Sequence, residues 1–355
     1  MSTDTARQAR PAGPAAAGRM RSYHADLGAG AEGLTVREHE VPAPGPGEAL
    51  IRVRATSLSF RELMILRGWY PLPVKPGLVP VSDGAGEVVA VGAGVSRVTA
   101  GDRVSAAIFP RWIDGAWGGE FAPQLGGSLD GMLTEYAVLP EGALVLIPGH
   151  LTFEEAACLP CAAVTAWNAL TGGRGLLPGE TVLTLGSGGV SLFALQFAKA
   201  AGARVIATTS SDQKAQRLLA LGADGVINRH ASPGWPSRVR GLTAGRGADH
   251  VIEVTGELAP AAATVATGGE IAFVGLLERD AGLPPIDPSV LWTSTLSLRA
   301  IAAGSRAQFE AMNRAIEVNG LRPVIDRVFT FDEVKRALRY YEDTRPFGKV
   351  VIAHR

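Results

Sequence analysis

The sequence predicts an α/β protein, with a compact β domain followed by a doubly wound parallel sheet of the dinucleotide-binding type. Three observations predict it. Residues 181–212 read as a strand, a glycine turn, a helix and a second strand within about thirty residues, the spacing of a βαβ unit. Before them, short apolar runs are separated by Gly, Pro and Asp turn residues, as in a β domain. After them, strand-like runs at 225–227, 250–254 and 270–274 alternate with helical or loop segments, the pattern of a parallel sheet covered by helices. At 355 residues the chain exceeds one typical core, so two domains are expected.

Taken in order, residues 1–19 are rich in Ala, Pro and Gly, cannot build a core, and read as a disordered extension. They hold no apolar stretch long enough for a signal peptide. The β domain is expected over 20–150, with strands at 34–41, 49–57, 87–92, 103–108 and 133–139 and a turn at Gly101-Asp102. The 49–57 run alternates imperfectly: Leu50, Arg52 and Arg54 interleave with Ile51, Val53 and Ala55. A helical segment follows at 152–170, with Glu154 and Glu155 in its first turn. The nucleotide domain is expected over 151–294. Helix signals return at 306–318 and 331–341, and 349–353 reads as a strand closing back on the first domain.

The glycine turn carries most of the chemistry. It runs Gly186-Ser187-Gly188-Gly189-Val190-Ser191. Its glycines let the backbone approach a pyrophosphate, and the helix N-terminus offers free N–H donors and a positive dipole end. Ser191 stands where a third glycine usually sits, and is small enough for close helix–strand packing. A nucleotide cofactor is therefore expected. Sites for NAD usually place an Asp or Glu about twenty residues after the first glycine, to accept from the ribose 2′-hydroxyl. Here the region reads Ala207-Thr208-Thr209-Ser210-Ser211, with no acid before Asp212. Hydroxyls such as Ser210, with Lys214 and Arg229, suit a 2′-phosphate, so NADP(H) is expected ahead of NAD(H). The alternative is that Lys214 and Arg229 are solvated surface charges.

Composition excludes several classes. Thirty-four basic and thirty-four acidic residues give no net charge, and no basic stripe or charged tail points to nucleic acid or membrane partners. No run of eighteen uninterrupted apolar residues occurs, so a soluble, cytoplasmic protein is expected. The two cysteines, Cys158 and Cys161, have CxxC spacing, but a structural zinc site needs a second pair. The surrounding LPCAAVTAW reads as a buried apolar helix, which makes both core thiols in a reducing compartment.

Six segments now stand together: SLSFRELMILRGWYP, VSDGAGEVVAVGAGVSRVTAGDRV, LPCAAVTAWNAL, LGSGGVSLFALQFAKAAGARVIAT, LGADGVIN and FGKVVI. With them the chain resembles the medium-chain dehydrogenase/reductase superfamily, in its zinc-independent, quinone-oxidoreductase-like (zinc-type alcohol dehydrogenase-like) branch. The resemblance covers about 20–353. It implies a GroES-like β domain, completed by about 295–355, with a Rossmann domain between, and usually a homodimer. It places Thr165 near the nicotinamide, and Lys349 and the Gly304-Ser305-Arg306 segment where relatives approach the cofactor; Gly275 is a further cofactor-binding candidate. A dimer seam is expected at 290–301, read as β-rich.

Departures from the zinc-dependent relatives bear on the chemistry. Those enzymes bind catalytic zinc with a Cys, a Gly-His-Glu histidine and a second Cys. Here Ser59 holds the first position, Val81-Ser82-Asp83 replaces Gly-His-Glu, and Cys161 alone matches the last ligand. The lobe at 102–136, where many relatives carry four structural cysteines, has none. One thiolate with hydroxyls and a carboxylate is a poor set for zinc, so no metal is expected. Without a Lewis acid, oxidising a simple alcohol is hard. Reducing a conjugated carbonyl (an enone, enal or quinone) asks less, because the product anion is resonance-stabilised. Tyr70 matches a tyrosine that serves as proton donor in similar enoyl-thioester reductases; its bland reading is a pocket wall beside Trp69. Ser59 and Arg61 are candidate donors to the substrate carbonyl, though Arg61 could equally form a salt bridge within its domain. Two other functions stay open: a zinc-free alcohol dehydrogenase of a specialised pathway, with Tyr70 or Asp83 as base, and a non-catalytic NADP-binding protein.

Overall fold

A computed structural model describes residues 18–275 and 286–354. The expected N-terminal extension lies, up to residue 17, outside the described residues. The chain divides into two compact units. One holds the chain up to Ala157 with Phe329–Leu338 and the stretch from Val351; the other holds Cys158–Val328 and Arg339–Val350.

The first unit is the β domain. Strands β1 (Arg19–Ala25) and β2 (Leu34–Glu40) form an antiparallel ribbon, in register from Arg19↔Glu40 to Ala25↔Leu34. Strand β3 (Glu48–Leu58) leads into helix α1 (Phe60–Leu66), and β4 (Asp83–Val91), β5 (Arg103–Ala106), β6 (Tyr136–Pro140), β7 (Leu144–Leu146) and the short helix α2 (Phe153–Ala156) follow. Strand β3 pairs with both β4 and β6, with register shifts between Leu50 and Ile51 and between Val53 and Ala55. That central position explains its imperfect alternation: it is covered on both faces, and only Arg52 is fully exposed. Ile51, Val53, Val88, Val104 and Leu139 form its core, each contributing about 1.5–3 kcal/mol of burial. Strand β1 escaped the sequence reading because its charged residues blur any alternation.

The second unit begins with a π turn (Leu159–Ala163) continuing into α3 (Val164–Thr171). Alternation of strand and helix then follows: β8 (Thr181–Thr184), α4 (Gly189–Ala200), β9 (Arg204–Thr209), α5 (Asp212–Ala220), β10 (Gly225–Asn228), α6 (Trp235–Leu242), β11 (Ala248–Glu253), α7 (Leu258–Ala262), β12 (Val265–Phe273), α8 (Pro288–Ser294), β13 (Ser297–Ala300) and α9 (Arg306–Asn319). The sheet order is β10-β9-β8-β11-β12-β13, and every pair is parallel, as the doubly wound reading expects. Leu183, Ile206, Ile227, Val251 and Ile271 fill its core. The chain ends with β14 (Ile325–Thr330), α10 (Val334–Thr344) and β15 (Lys349–Ala353), and the two strands join the sheet of β3 in the order β14-β15-β3-β4-β5-β7.

Two expectations need correction. The 290–301 seam is not continuously β: Asp287 accepts from the Ser289 N–H at 2.8 Å, Pro288 starts α8, and only Ser297–Ala300 is strand. An N-cap followed by proline is a helix start, which outweighs the threonines of LWTSTLSL. Cys158 is a core thiol, but Cys161 is only partly buried, because the wider π turn shifts it off the covered face.

His354, just beyond β15, is buried, with Nε2 3.2 Å from Thr56 Oγ1 and its ring against Phe331. Burial pushes its imidazole down to about 3, against a smaller upward pull from the Thr134 backbone. The unfolded imidazole titrates near 6.5, so between pH 6.5 and about 3 the unfolded chain binds the extra proton. Stability from this group is therefore present above 6.5 and lost as pH falls towards 3. His354→Asn should narrow the difference between melting temperatures at pH 7 and pH 4; an unchanged difference would refute the assignment.

Candidate active site and nucleotide turn

In the second unit, β8 ends at Thr184 and the chain turns at Gly186, whose φ of +84° lies in the left-handed region that favours glycine. The Gly186 N–H donates to Thr208 Oγ1 at 3.2 Å, tying the turn to β9. Gly188 caps α4, and a Cβ on Gly188 would meet nothing within 4 Å, so open space lies before the helix N-terminus. A Cβ on Gly189 would come within 2.8 Å of Lys349 Cδ, because that buried stem runs across the first turn of α4. Val190 is half-buried beside it. Ser191 is buried and donates to the Leu185 carbonyl at 2.8 Å, packing helix against strand. Ser187 accepts at its carbonyl from the Gly348 N–H at 3.1 Å, so the loop before β15 braces the turn. An open helix end, with free space at Gly186 and Gly188, fits a nucleotide pyrophosphate.

The remaining cofactor candidates lie in the same unit. Thr165 is buried on α3, and Gly275 follows β12, its N–H donating to the Glu253 carbonyl at 3.3 Å. Ser210 is half-buried at the end of β9, while Ser211 caps α5 by accepting from the Lys214 N–H at 3.2 Å. Lys214 Nζ donates to the Arg345 carbonyl at 2.5 Å. Burial pulls its ammonium below the usual lysine range, opposed by Asp326 and reinforced by Arg217 and Arg345. Arg229 is paired with Glu257. Asp212 accepts from Asn228 Nδ2 at 2.8 Å. One residue here was missed by sequence reasoning. Glu253 is fully buried at the end of β11, and its carboxylate accepts from the N–H groups of Thr255 and Gly256 at 2.7 and 2.9 Å. It fixes the loop between β11 and α7.

In the first unit, Ser59, Arg61 and Tyr70 are brought together. Ser59 precedes α1 in the Ser-x-x-Glu spacing of a capping box, and its N–H donates to Glu62 Oε2 at 3.1 Å. Glu62 is buried and takes three more donors on Oε1, each at 3.1 Å: Arg61 Nη1, the Ser82 N–H and Ser82 Oγ. Arg61, whose side chain is 10 % exposed, spends its other donors inside the unit: Nε on Tyr70 Oη at 3.2 Å, and Nη2 on Gln124 Oε1 at 2.8 Å and the Leu125 carbonyl at 3.0 Å. The intradomain salt bridge set beside its functional reading is thus present. Tyr70 is half-buried, and its hydroxyl donates to Gln124 Oε1 at 2.9 Å.

Asp83 is fully buried at the start of β4. Its Oδ2 lies 3.1 Å from Ser57 Oγ and 3.4 Å from Ser59 Oγ, and its Oδ1 3.3 Å from Ser82 Oγ. Serine hydroxyls around one carboxylate offer no soft or imidazole donor, and do not fit a tetrahedral zinc. Among the described residues, no group of three or more His, Cys, Asp and Glu side chains is gathered to hold a metal ion.

Residues 45–149 match the alcohol dehydrogenase GroES-like domain, and residues 189–317 match the zinc-binding dehydrogenase domain. A zinc-type alcohol dehydrogenase-like protein of Schizosaccharomyces pombe is 43 % identical over 332 residues, 91 % of this chain and 96 % of the relative. The chain belongs to the medium-chain dehydrogenase/reductase family. A crystal structure from Sinorhizobium meliloti described as an alcohol dehydrogenase superposes with a TM-score of 0.87 at 40 % identity, covering 94 % of this chain and 98 % of that one. An acryloyl-coenzyme A reductase of Metallosphaera sedula is 30 % identical over 341 residues, 90 % of this chain and 96 % of the relative. The fold is accordingly a GroES-like domain with a Rossmann-like parallel sheet, and the protein is an NAD(P)H-dependent oxidoreductase. No described helix is long and apolar enough to cross a membrane.

Proposed function

We propose that this oxidoreductase reduces a conjugated carbonyl (an enone, enal or quinone) with NADPH and without catalytic zinc. The observation that carries the reading is the donor set around Asp83, three serine hydroxyls of which Ser59 and Ser82 fall in the segments where zinc-dependent relatives place a thiolate and an imidazole ligand. A site so built can still assist where the product anion is delocalised, because hydrogen-bond donors then suffice. The relationship to an acryloyl-coenzyme A reductase, named for an activated C=C, supports the same chemistry. The cofactor, when bound, supplies the hydride. Tyr70 is the proton donor, its hydroxyl being half-buried within a polar network. Ser59 and Arg61 orient the carbonyl end of the substrate.

Gly186 to Val190, Thr165, Gly275 and Lys349 hold the cofactor in this reading. The missing acid after β9, with Ser210, Lys214 and Arg229 there instead, supports NADPH over NADH. Lys214 is bound to a neutral carbonyl, which a 2′-phosphate can displace readily; Arg229 would have to leave a carboxylate. The active form in this reading is a cytoplasmic homodimer pairing at β13, the outer strand of its sheet.

The test is cofactor oxidation by chelator-treated protein against quinones, enones and simple alcohols. Turnover with NADPH and conjugated acceptors, unaltered by chelator, is expected. Tyr70→Phe should lower kcat about 100-fold, within the usual range for a lost general acid, with the KM for NADPH unmoved. Activity that returns only on adding zinc would overturn the zinc-free reading. Brisk oxidation of simple alcohols by the same sample would favour the alcohol dehydrogenase alternative, with Asp83 as base.

A further inference from the structure

The reading of Tyr70 leaves Gln124 unexplained. Gln124 is fully buried in a tight loop, where its N–H donates to Ser128 Oγ at 3.1 Å and its carbonyl accepts from the Leu129 N–H at 2.9 Å. Its Oε1 takes two donors, Arg61 Nη2 at 2.8 Å and the Tyr70 hydroxyl at 2.9 Å. Its Nε2 is buried with no hydrogen-bond partner. The orientation is set by chemistry: a guanidinium can only donate, so the amide oxygen must face Arg61. The consequence is a stranded donor on the other side, which costs stability at a buried position. An amide here is therefore a poor stabiliser, and what it contributes is the doubly used oxygen. Gly127 lets it sit there: a Cβ at 127 would lie 2.8 Å from both Arg61 Nη2 and Gln124 Cγ.

We propose that Gln124 is a positioning residue that holds the Tyr70 hydroxyl ready to donate. The phenol oxygen accepts from Arg61 Nε and its hydrogen is aimed at Gln124 Oε1, so both its angle and its rotor are fixed between two partners. When the hydroxyl turns to the substrate, Gln124 Oε1 keeps its bond from Arg61 Nη2 and is not left bare. Releasing the proton donor is therefore cheap, while its resting place stays defined. The hydride adds to the conjugated carbon, the Tyr70 proton neutralises the resulting anion, and water returns a proton to the phenolate. This inference rests on Tyr70 as proton donor.

A double-mutant cycle on the full-length protein tests it, with NADPH and an enone. Gln124→Leu should lower kcat about 10-fold with the KM for NADPH unchanged and no loss in melting temperature. Added to Tyr70→Phe it should cost nothing further, since the group it positions is gone. Gln124→Glu, which keeps the acceptor, should recover part of the loss. If Gln124→Leu folds poorly, Gln124→Met, which keeps the length without the acceptor, should give the same non-additive loss. Full additivity with an impaired Tyr70→Phe, or an unchanged kcat in Gln124→Leu, overturns the role of Gln124 and leaves Tyr70 standing. An unimpaired Tyr70→Phe overturns both.

Discussion

Gly188→Asp should leave the apo protein at least as stable as the parent while weakening NADPH binding by 100-fold or more. Gly188 has φ −82° and ψ −178°, an extended conformation open to any residue, and its Cβ would meet nothing within 4 Å. The position is the N-cap of α4, where aspartate is among the preferred residues and its charge faces the positive end of the helix. Folding alone therefore has no reason to resist the change. Nucleotide binding does, because the new carboxylate occupies the space and the donors a pyrophosphate needs. A 100-fold loss corresponds to about 2.7 kcal/mol, modest for setting an anion against an anion at a helix end. Titration of NADPH, followed by its fluorescence, measures the affinity, and a thermal melt of the apo protein gives the control. Affinity within a few-fold of the parent, in a normally melting variant, would mean that the dinucleotide does not lie across this turn.

Glu62→Leu has the larger effect on folding. The Glu62 carboxylate is 1 % exposed and satisfies Arg61, two donors of Ser82 and the Ser59 N–H. Leucine matches its bulk but strands the Arg61 charge and two backbone donors. Breaking a buried ion pair by removing one partner costs about 3–5 kcal/mol. For a unit of this size that is a fall of about 10 °C in the transition of the β domain. Glu62→Gln keeps one acceptor and should fall between the two. A melt within a degree of the parent for Glu62→Leu would show that Arg61 finds another partner. Because Arg61 also holds Tyr70 and Gln124, surviving protein should be slow in turnover as well.

These two sites differ in how far they were legible in the sequence. The turn at Gly186–Gly189 announces itself through local spacing: strand, glycines and helix are contiguous, and the physics that makes a phosphate cradle operates within one turn of chain. The parallel sheet was readable for the same reason, since the largely apolar runs at 182–185, 205–207 and 251–252 are continuous and fully buried. Where local signals competed, the reading failed. At 290–301 the β-rich composition suggested strand, and the Asp-Pro start of α8 prevailed. At Cys161 an apolar run suggested full burial, and a π turn left it partly open.

The network around Tyr70 belongs to another level. Ser59, Arg61 and Tyr70 were visible as residues, and Ser59-x-x-Glu62 was available as a capping-box signal that would have exposed Glu62. Gln124 was not available by any local rule. It lies 54 positions from Tyr70 in a loop without periodicity, and only the folded β domain brings its amide to the phenol. The sequence by itself determined the fold class, written in short-range periodicity, and the family, through the motifs the chain shares with it; it also marked the glycine turn, whose strand, glycines and helix are contiguous. The tertiary structure alone decided which polar groups meet: which donors Arg61 spends, where Tyr70 points, and which acceptors Lys214 and Arg229 already hold. Hydrogen bonds depend on separations of a few ångströms between residues far apart in the chain, and that distance is fixed only when the whole unit has packed.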